Sequence, residues 1–523
     1  MDGIELALLT SRAQAICDEM GVLLRRSAFS PNIKDRLDFS CALFDARGDL
    51  FAQAAHIPVH LGSMAFAMRD LVGVVDWRPD DVLVVNDPFL GGTHLPDVTI
   101  VVPVWCDGAH IGFAVNRAHH ADIGADTPGS MPLSRSLSEE GVVIPPMLLE
   151  REGRVPDAAA GVLRRLAAAP DLDIDRWRAA PRLADFAAQV ASARAGARAL
   201  AVLARTFAPG DFQAAVDALG AYAERLARST IRSIPDGILQ AEDLLDSDGF
   251  GHDDLPLRVQ LRVEGDEVAV DFAGTHAQVE GNLNCALPVA AAAVFYVFRC
   301  LMPRETPASA GAFRPIHLQA PPGCLLNARR PAAVAAGNVE TSMRVVDVLL
   351  RALAPALPER IPAAAQGTMN NVAMGARGRH RWDYYETIAG GLGAHAAGPG
   401  PSAVQAHMTN TLNTPVESLE AHYPLRVERY AVRRNSGGAG RHRGGDGVIR
   451  SYRFLEDAQV TLLGERHRHA PWGLAGGVAG APARALLNGQ PLPGKCCIAV
   501  RAGDLLEIHT PGGGGWGTPD DGS

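Results

Sequence analysis

The residues that could do chemistry are concentrated in two short segments of the N-terminal part of the chain. The first holds His94 and Asp97, spaced as H-x-x-D within a glycine-flanked loop, and the second holds His119, His120 and Asp122. Imidazoles combined with carboxylates suit zinc, manganese or iron far better than calcium. The residue types therefore favour a divalent-metal or catalytic site. The alternative is that these side chains only satisfy backbone groups of loops, as a single histidine at a strand end usually does.

Both segments are expected to meet at the open end of one β-hairpin. Apolar runs at 98–105 and 111–117 flank Asp107-Gly108, a strong signal for a two-residue turn. Pairing outward from that turn places Asp97 opposite Ala118, and simple alternation then puts His120, not His119, on the face of Asp97. Strand ends often contain bulges, however, so alternation leaves the choice between the two histidines open.

The hydrophobic pattern of the whole chain predicts an α+β fold with mixed sheets. Apolar residues at helical spacing predict helices, and short apolar runs beside turn residues predict strands. The predicted helices lie at 3–25, 61–72, 288–302 and 339–354, with several more between 155 and 235. Further strands are predicted at 39–44, 50–54, 82–85, 257–263 and 267–272. We divide the chain into an N-terminal α/β metal-site domain (1–155), a helical connecting segment (156–240), an α/β middle region (241–360) and a strand-rich C-terminal region (361–523).

Composition excludes several functional classes. The 523 residues are 47% apolar with a net charge of −9, and no basic stretch is interleaved with aromatics, so we expect no nucleic-acid partner. Only Lys34 and Lys495 are lysines, and neither lies in G-x-x-x-x-G-K-[ST], which excludes a phosphate loop of that type. No run approaches the ~20 apolar residues of a membrane span. The eight cysteines are scattered and the N-terminal residues lack a secretory pattern, so we expect a cytoplasmic protein that does not contact membranes.

Several motifs, taken together and in order, resemble the hydantoinase B/oxoprolinase family. The likeness covers nearly the whole chain and continues into the terminal glycine-rich tail. The motifs are NIKDRLDFS (32–40), NDP (86–88), GGTHLPD (91–97), AHHADIG (118–124), EEG (139–141), GNVETS (337–342), YET (385–387) and HMTNT (407–411).

The resemblance implies a site and a partner. Members of the family hold a divalent metal, and the matching positions here are Asp38, His94, Asp97 and His119. His120 and Asp122 are then candidates for proton transfer near that metal. Without the family, Asp38 reads as a turn-stabilising residue before a strand. The implied partner is a hydantoinase A-type subunit that binds ATP, so a hetero-oligomer is expected.

The resemblance also implies a reaction. The leading hypothesis is the metal-bearing subunit of an ATP-dependent complex that hydrolyses a cyclic amide, such as a hydantoin or a lactam. Two alternatives are a subunit of an ATP-dependent ketone carboxylase of the acetone or acetophenone type, and a scaffold subunit without catalytic function. Leu412 stands where many relatives have an arginine, which leaves the usual substrates in question.

Overall fold

The chain folds into four β-sheets with helices packed on them, as seen in a computed structural model that describes residues 3–208, 210–377 and 380–519. Nearly all strand pairs are antiparallel; β-strands 316–319 and 267–271 pair in parallel. The predicted α+β class with mixed sheets is therefore confirmed. Within the described ranges, no helix combines the length and the apolar character that a bilayer span requires.

The first sheet has six strands in the order β2-β1-β5-β4-β3-β6. The predicted hairpin is present, with Asp107-Gly108 turning β4 into β5, and a second hairpin forms where Asp45 to Gly48 turns β1 into β2. The strands are β1 Phe39–Asp45, β2 Leu50–Gln53, β3 Val82–Val85, β4 Asp97–Cys106, β5 Ala109–His119 and β6 Met147–Glu150.

Helices cover both faces of this sheet, since alternate side chains of each strand point to opposite faces. On one face, Met64, Met68 and Leu71 of α3 pack against Phe44 and Val101. On the other face lie α1 and α5, which contact β1, β4 and β5. The helices are α1 Gly3–Ser27, α2 Pro31–Lys34, α3 Pro58–Val72, α4 Asp157–Ala167, α5 Ala184–Ala204 and α6 Asp211–Ile231.

The middle of the chain forms a second sheet, in the order β10-β9-β8-β7, and two buried helices. A single π-helical turn, Gly337–Thr341, precedes the second of these helices. The elements are β7 Gly237–Ser247, β8 Asp253–Glu264, β9 Glu267–Asp271, β10 Ile316–Gln319, α7 Leu287–Leu301 and α8 Ser342–Leu353. Helix α7 packs on both α3 and α8, so it links this region to the first sheet.

The C-terminal part is rich in strands, as predicted, and forms two more sheets around a shared apolar core. The third sheet contains β11 Asn371–Ala376, β12 Trp382–Glu386, β15 Ala458–Leu463 and β18 Lys495–Val500. The fourth contains β13 Leu425–Arg433, β14 Gly447–Phe454, β16 Arg484–Leu487, β17 Gln490–Leu492 and β19 Leu505–His509, and α9 spans Val416–His422. The glycine-rich tail packs backbone against backbone: a β-carbon on Gly513 would lie 2.0 Å from the carbonyl oxygen of Leu392.

Candidate metal centre

Three of the predicted site residues converge at the open end of the β4–β5 hairpin. His94 lies in the loop before β4, Asp97 begins β4, and His119 ends β5 directly opposite Asp97. One ligand atom from each side chain lies within 4.8 Å of the other two. All three side chains are buried. Two imidazoles and one carboxylate therefore face a common point inside the protein.

The pairing of Asp97 corrects the register expected from the turn. Cys106 pairs with Ala109 as the two-residue turn requires, but the register shifts between Val104 and Trp105. From that shift onward Asp97 faces His119, so the expected pairing with Ala118 is wrong by one residue. The irregularity puts His119, not His120, on the same face as Asp97, because side chains alternate along a strand.

One atom of each of the three residues makes no hydrogen bond within the described residues, although His94 Nε2 and Asp97 Oδ1 each have an ionisable neighbour 3.2 Å away. The atoms are His94 Nε2, Asp97 Oδ1 and His119 Nε2, and each is shielded from solvent. Unpaired buried polar atoms cost free energy, about 1–3 kcal/mol each, so a cluster of three needs an explanation. A divalent cation bound by all three would supply the missing partner, and the donor set is one that zinc, manganese and iron accept.

The orientation of His94 also fits a cation. Its Nδ1 lies 3.3 Å from the carbonyl oxygen of Ala335, to which an Nδ1–H donates. That tautomer turns the lone pair of Nε2 toward Asp97 Oδ2, 3.2 Å away. A lone pair and a carboxylate oxygen repel at this distance unless a proton or a metal ion lies near both.

The surrounding charges set the protonation of the three side chains. Burial, reinforced by His94, holds the pKa of His119 well below its ordinary value, so this imidazole is neutral, as a metal ligand must be. Burial opposes ionisation of Asp97, but His60 and His94 outweigh it and hold its pKa well below the usual range. Burial likewise opposes a charge on His94, and the Asp97 carboxylate overcomes this and raises its pKa.

Polar neighbours hold the ligand residues in place. Thr93 donates its hydroxyl to Asp97 Oδ2 at 2.7 Å, and the amide of Asn338 donates to the same oxygen at 3.2 Å. The amide of Asn32 lies 3.2 Å from His119 Nδ1. The atom that faces Nδ1 is the amide nitrogen, and the amide oxygen accepts from Arg36 at 3.3 Å. The Nδ1–H tautomer, which leaves the Nε2 lone pair to a cation, therefore requires the Asn32 amide to turn its oxygen toward His119.

Asp38 lies beside the three-residue cluster rather than within it. Its Oδ1 is 3.9 Å from His60 Nε2, and its Oδ2 is 3.6 Å from a guanidinium nitrogen of Arg36. Burial raises the pKa of Asp38, although Arg36 and His60 oppose the rise. Asp38 and His119 line one small cavity. The structure thus brings Asp38 to the site, and its role as a fourth ligand stays a prediction.

The structure does not bring His120 and Asp122 to the cluster. His120 points to the α5 face of the sheet, where its Nε2–H donates to Gln189 Oε1 at 2.8 Å and its ring packs on Phe186. Asp122 is partly exposed and pairs with Arg182 and Arg381. The expectation that these two residues lie near the metal ligands is therefore corrected, since strand alternation turns one away and the following loop carries off the other.

His60 is a residue of the site that the sequence analysis missed. It lies in the first turn of α3, and its Nε2 is 3.2 Å from Asp97 Oδ1. Its Nδ1 is 3.4 Å from the hydroxyl of Ser40. The only local signal is a lone histidine near the start of an apolar helix, which on its own does not indicate a site.

A cavity of about 20 Å³ adjoins the cluster, enough for one water molecule. His60, His119 and Tyr385 form part of its wall, and the rest includes Asp38, Asn338, Met408, Thr409 and Thr411. The segment that carries Met408 is held by two backbone hydrogen bonds, from Val59 N–H to the Met408 carbonyl at 3.3 Å and from Leu412 N–H to the Arg36 carbonyl at 2.9 Å.

The chain also matches a known protein family over nearly its whole length. The model of the hydantoinase B/oxoprolinase family matches residues 2–519. The chain belongs to this family. An uncharacterized protein of Methanocaldococcus jannaschii is 38% identical over 99% of this chain and 91% of its own length. A putative D-/L-hydantoinase component from a Pseudomonas species is 31% identical over 99% of this chain and 90% of its own length.

Some members of the hydantoinase B/oxoprolinase family are much longer. The 5-oxoprolinase 1 of Arabidopsis thaliana is 36% identical over 99% of this chain, but the match covers only 42% of that protein. Among solved structures, the ATP-dependent caprolactamase from Pseudomonas jessenii matches with a TM-score of 0.89 and 26% identity, over 99% of this chain and 91% of that one. An acetone carboxylase matches with a TM-score of 0.85 over 99% of this chain and 76% of that one, at 19% identity, which shows a shared fold.

Two further residues singled out by the resemblance, Glu140 and Leu412, lie near the site. Glu140 accepts hydrogen bonds from the backbone N–H groups of Val334 and Ala335, at 2.8 and 2.9 Å, and so holds the segment whose Ala335 carbonyl contacts His94. Burial raises the pKa of Glu140 to about 7. Leu412 is 53% exposed, although Thr411 beside it lines the cavity.

Proposed function

We propose that this chain is the metal-bearing subunit of an ATP-dependent complex that hydrolyses the C–N bond of a cyclic amide. Its partner in that complex is a hydantoinase A-type subunit that binds ATP, and the substrate is a small hydantoin-like or lactam ring. The observation that carries the proposal is the buried group of three unpartnered ligand atoms on His94, Asp97 and His119. The likeness to a putative hydantoinase component and to a caprolactamase supports the reaction class.

The residues of the site divide into ligands and a proton acceptor. His94, Asp97 and His119 would hold the metal, with Asp38 as a fourth ligand. A bound divalent ion supplies Lewis acidity and lowers the pKa of a water molecule toward neutrality. His60 lines the same cavity, with its Nε2 3.2 Å from Asp97 Oδ1, and its imidazole is the candidate proton acceptor for that water. This assignment replaces the one that the sequence had favoured for His120 and Asp122.

The site for ATP is assigned to the partner on the family resemblance, and the lack of a lysine-based phosphate loop in this chain agrees with that assignment. The ammonium group of Lys495 is buried and pairs with Glu465. Lys34 ends α2, a helix of four residues. Neither lysine therefore belongs to a phosphate loop of that type, which agrees with an ATP site on a second chain.

Co-expression with a hydantoinase A-type subunit tests the proposal. The purified complex is expected to contain a stoichiometric divalent metal and to open hydantoin, 5-oxoproline or caprolactam only when ATP is present. The single chain is expected to be inactive on all three. His94→Ala should abolish turnover, whereas His422→Ala, which changes an exposed histidine on α9, should not.

Two other outcomes would replace the proposed function. Consumption of acetone with bicarbonate, instead of ring opening, would make the complex a ketone carboxylase. Full turnover by the His94→Ala complex would leave this chain as a scaffold.

A further inference from the structure

Two polar side chains of the π-helical turn Gly337–Thr341 are connected to the metal centre, one by direct contact and one through other residues. Asn338 contacts it directly, through the hydrogen bond to Asp97 Oδ2. Glu340 lies farther along the turn, is fully buried, and makes no ion pair with a described cation. A buried carboxyl group without a cation is costly, so its retention needs a reason.

Glu340 is the start of a continuous set of hydrogen bonds. Its Oε1 accepts from the side-chain amide of Asn371 at 2.6 Å and from the backbone N–H of Met369 at 2.9 Å. Asn371 in turn accepts the phenolic O–H of Tyr385 on its Oδ1 at 2.7 Å. The Asn371 amide nitrogen also donates to the Leu463 carbonyl at 2.7 Å, so the donors and the acceptor of this amide are all committed and its orientation is fixed.

The last residue of this set, Tyr385, contacts the candidate metal ligand His119. The ring of Tyr385 stacks on the imidazole of His119, with centroids 4.8 Å apart and planes 11° from parallel. The guanidinium of Arg36 also lies over the Tyr385 ring, 4.8 Å from its centroid. A parallel stack restricts the rotation of His119 about its side-chain bonds, and so determines where its unpartnered Nε2 points.

We propose that Glu340 is a positioning residue for the metal centre, which acts through Asn371 and Tyr385 to hold the His119 imidazole in its ligating orientation. The inference rests on the metal centre of the proposed function. Glu340 does this as a hydrogen-bond acceptor of fixed geometry, and its negative charge is not needed.

The surroundings of Glu340 agree with an uncharged acceptor. Burial, with a smaller effect of the neighbouring Glu465, raises the pKa of Glu340 to about 8. The nearby cations are engaged elsewhere: Lys495 and Arg344 both pair with Glu465. A glutamine at this position keeps the oxygen that accepts from Asn371, so it reproduces the neutral carboxyl group.

Metal affinity of the single chain, measured by competition with a chelator of known affinity, tests the proposal. We expect Glu340→Ala to bind Zn²⁺ or Mn²⁺ about 10-fold more weakly than the wild type, the scale typical of residues that orient a ligand. Glu340→Gln should stay within about 3-fold of the wild type on the same scale. Glu150→Ala is the matched control, because Glu150 is equally buried and accepts from Arg178 and Arg194 on the far side of the sheet. It should lower the unfolding temperature without changing metal affinity.

A double substitution tests whether the residues act in series. Tyr385→Phe removes only the phenolic O–H, and we expect it to weaken metal binding by a similar factor. Glu340→Ala combined with Tyr385→Phe should then weaken binding no further than either change alone, because both interrupt one chain of contacts. Additive losses would overturn the proposal, as would a Glu340→Gln variant as weak as Glu340→Ala.

The outcome also separates this inference from the proposed function. If the wild type binds metal and Glu340→Ala binds it equally well, only the positioning role of Glu340 is overturned. If the folded wild type holds no divalent metal, the proposed function and this inference both fail.

Discussion

The two faces of the first sheet carry neighbouring histidines in opposite situations. His119 and His120 are adjacent and equally buried, each 3% exposed. On the α5 face, His120 Nε2–H donates to the side-chain oxygen of Gln189. The side-chain nitrogen of Gln189 in turn donates to the Val98 carbonyl and to Asn116, so His120 Nε2 and the Gln189 amide all have hydrogen-bond partners. On the α3 face, Nε2 of His119 has no hydrogen-bond partner among the described residues, and Nε2 of His94 faces the Asp97 carboxylate, 3.2 Å away.

The difference shows which of the two histidines has a hydrogen-bond partner for its Nε2 atom within the protein. A buried imidazole with a full set of hydrogen bonds stabilises the protein and needs nothing further. A buried group of imidazoles and a carboxylate with unpaired ligand atoms is unfavourable until a ligand arrives. The α3 face thus carries the candidate metal site, whereas the histidine on the α5 face donates its hydrogen bond to Gln189.

The strongest test of this contrast is the loss of the carboxylate on the α3 face. Asp97→Asn keeps an oxygen for the Thr93 hydroxyl but removes the negative charge that a cation requires. We expect metal affinity to fall at least about 100-fold and ATP-dependent turnover to be lost. Metal analysis of the purified chain and assays of the complex measure the two effects. Normal metal content in Asp97→Asn would place the ion elsewhere.

A matched pair of substitutions sharpens the contrast. His119→Ala should weaken metal binding by about 100-fold. His120→Ala should leave metal affinity within about 3-fold, but should lower the free energy of unfolding by about 2–4 kcal/mol, through the lost Gln189 hydrogen bond and the lost packing on Phe186. Chelator competition and denaturant unfolding provide the measurements. The reverse pattern would exchange the roles of the two histidines.

Glu140, which holds the segment in contact with His94, should make the stability of the protein depend on pH. The pKa of Glu140 is raised from 4.5 to about 7, so its proton is bound more tightly in the folded state. The stabilisation that follows is complete below about pH 4.5 and is lost as pH rises through 7. Between pH 5 and 8 the wild type should therefore lose about 2–3 kcal/mol relative to Glu140→Gln, as followed by denaturant unfolding at each pH. A difference that is constant with pH would contradict the raised pKa.

The smallest effect is expected from Asp122, which lies outside the cluster. Its ion pairs with Arg182 and Arg381 are partly exposed, and such pairs contribute at most about 1 kcal/mol. Asp122→Asn should leave turnover of the complex within about 2-fold of the wild type, because an amide here changes only this exposed pairing. A loss of turnover of 100-fold or more, with metal content intact, would restore Asp122 to the proton-transfer role.

The sequence was sufficient to predict the hairpin and the convergence of its ends, but not its register. The turn at Asp107-Gly108 and the apolar runs on either side are local signals, and both are confirmed. The register shift near Val104 depends on contact with a third strand: a β-carbon on Gly112 would lie 2.2 Å from the Phe44 carbonyl oxygen in β1. A glycine inside a predicted strand was the one available sign of an irregularity.

The outer parts of the site could not be predicted from local patterns. Asn338 contacts Asp97 although the two residues are 241 positions apart in the sequence, and His60 contacts Asp97 from helix α3. Periodicity describes how one element is shaped, whereas these contacts depend on how α3 and the π-helical turn pack against the sheet. Only the family motifs pointed to the region around Asn338, and they assigned it no role.

The narrow space beside His119 has a kinetic consequence. The cyclic amide of the proposed function is several times larger than a volume that admits one water, so such a ring could reach the ligands only if part of the cavity wall, for example the segment around Met408, moved away. Breaking the two backbone hydrogen bonds that hold this segment is the kind of movement that takes microseconds to milliseconds. Where this movement is slower than cleavage of the C–N bond, bulkier rings will be processed more slowly.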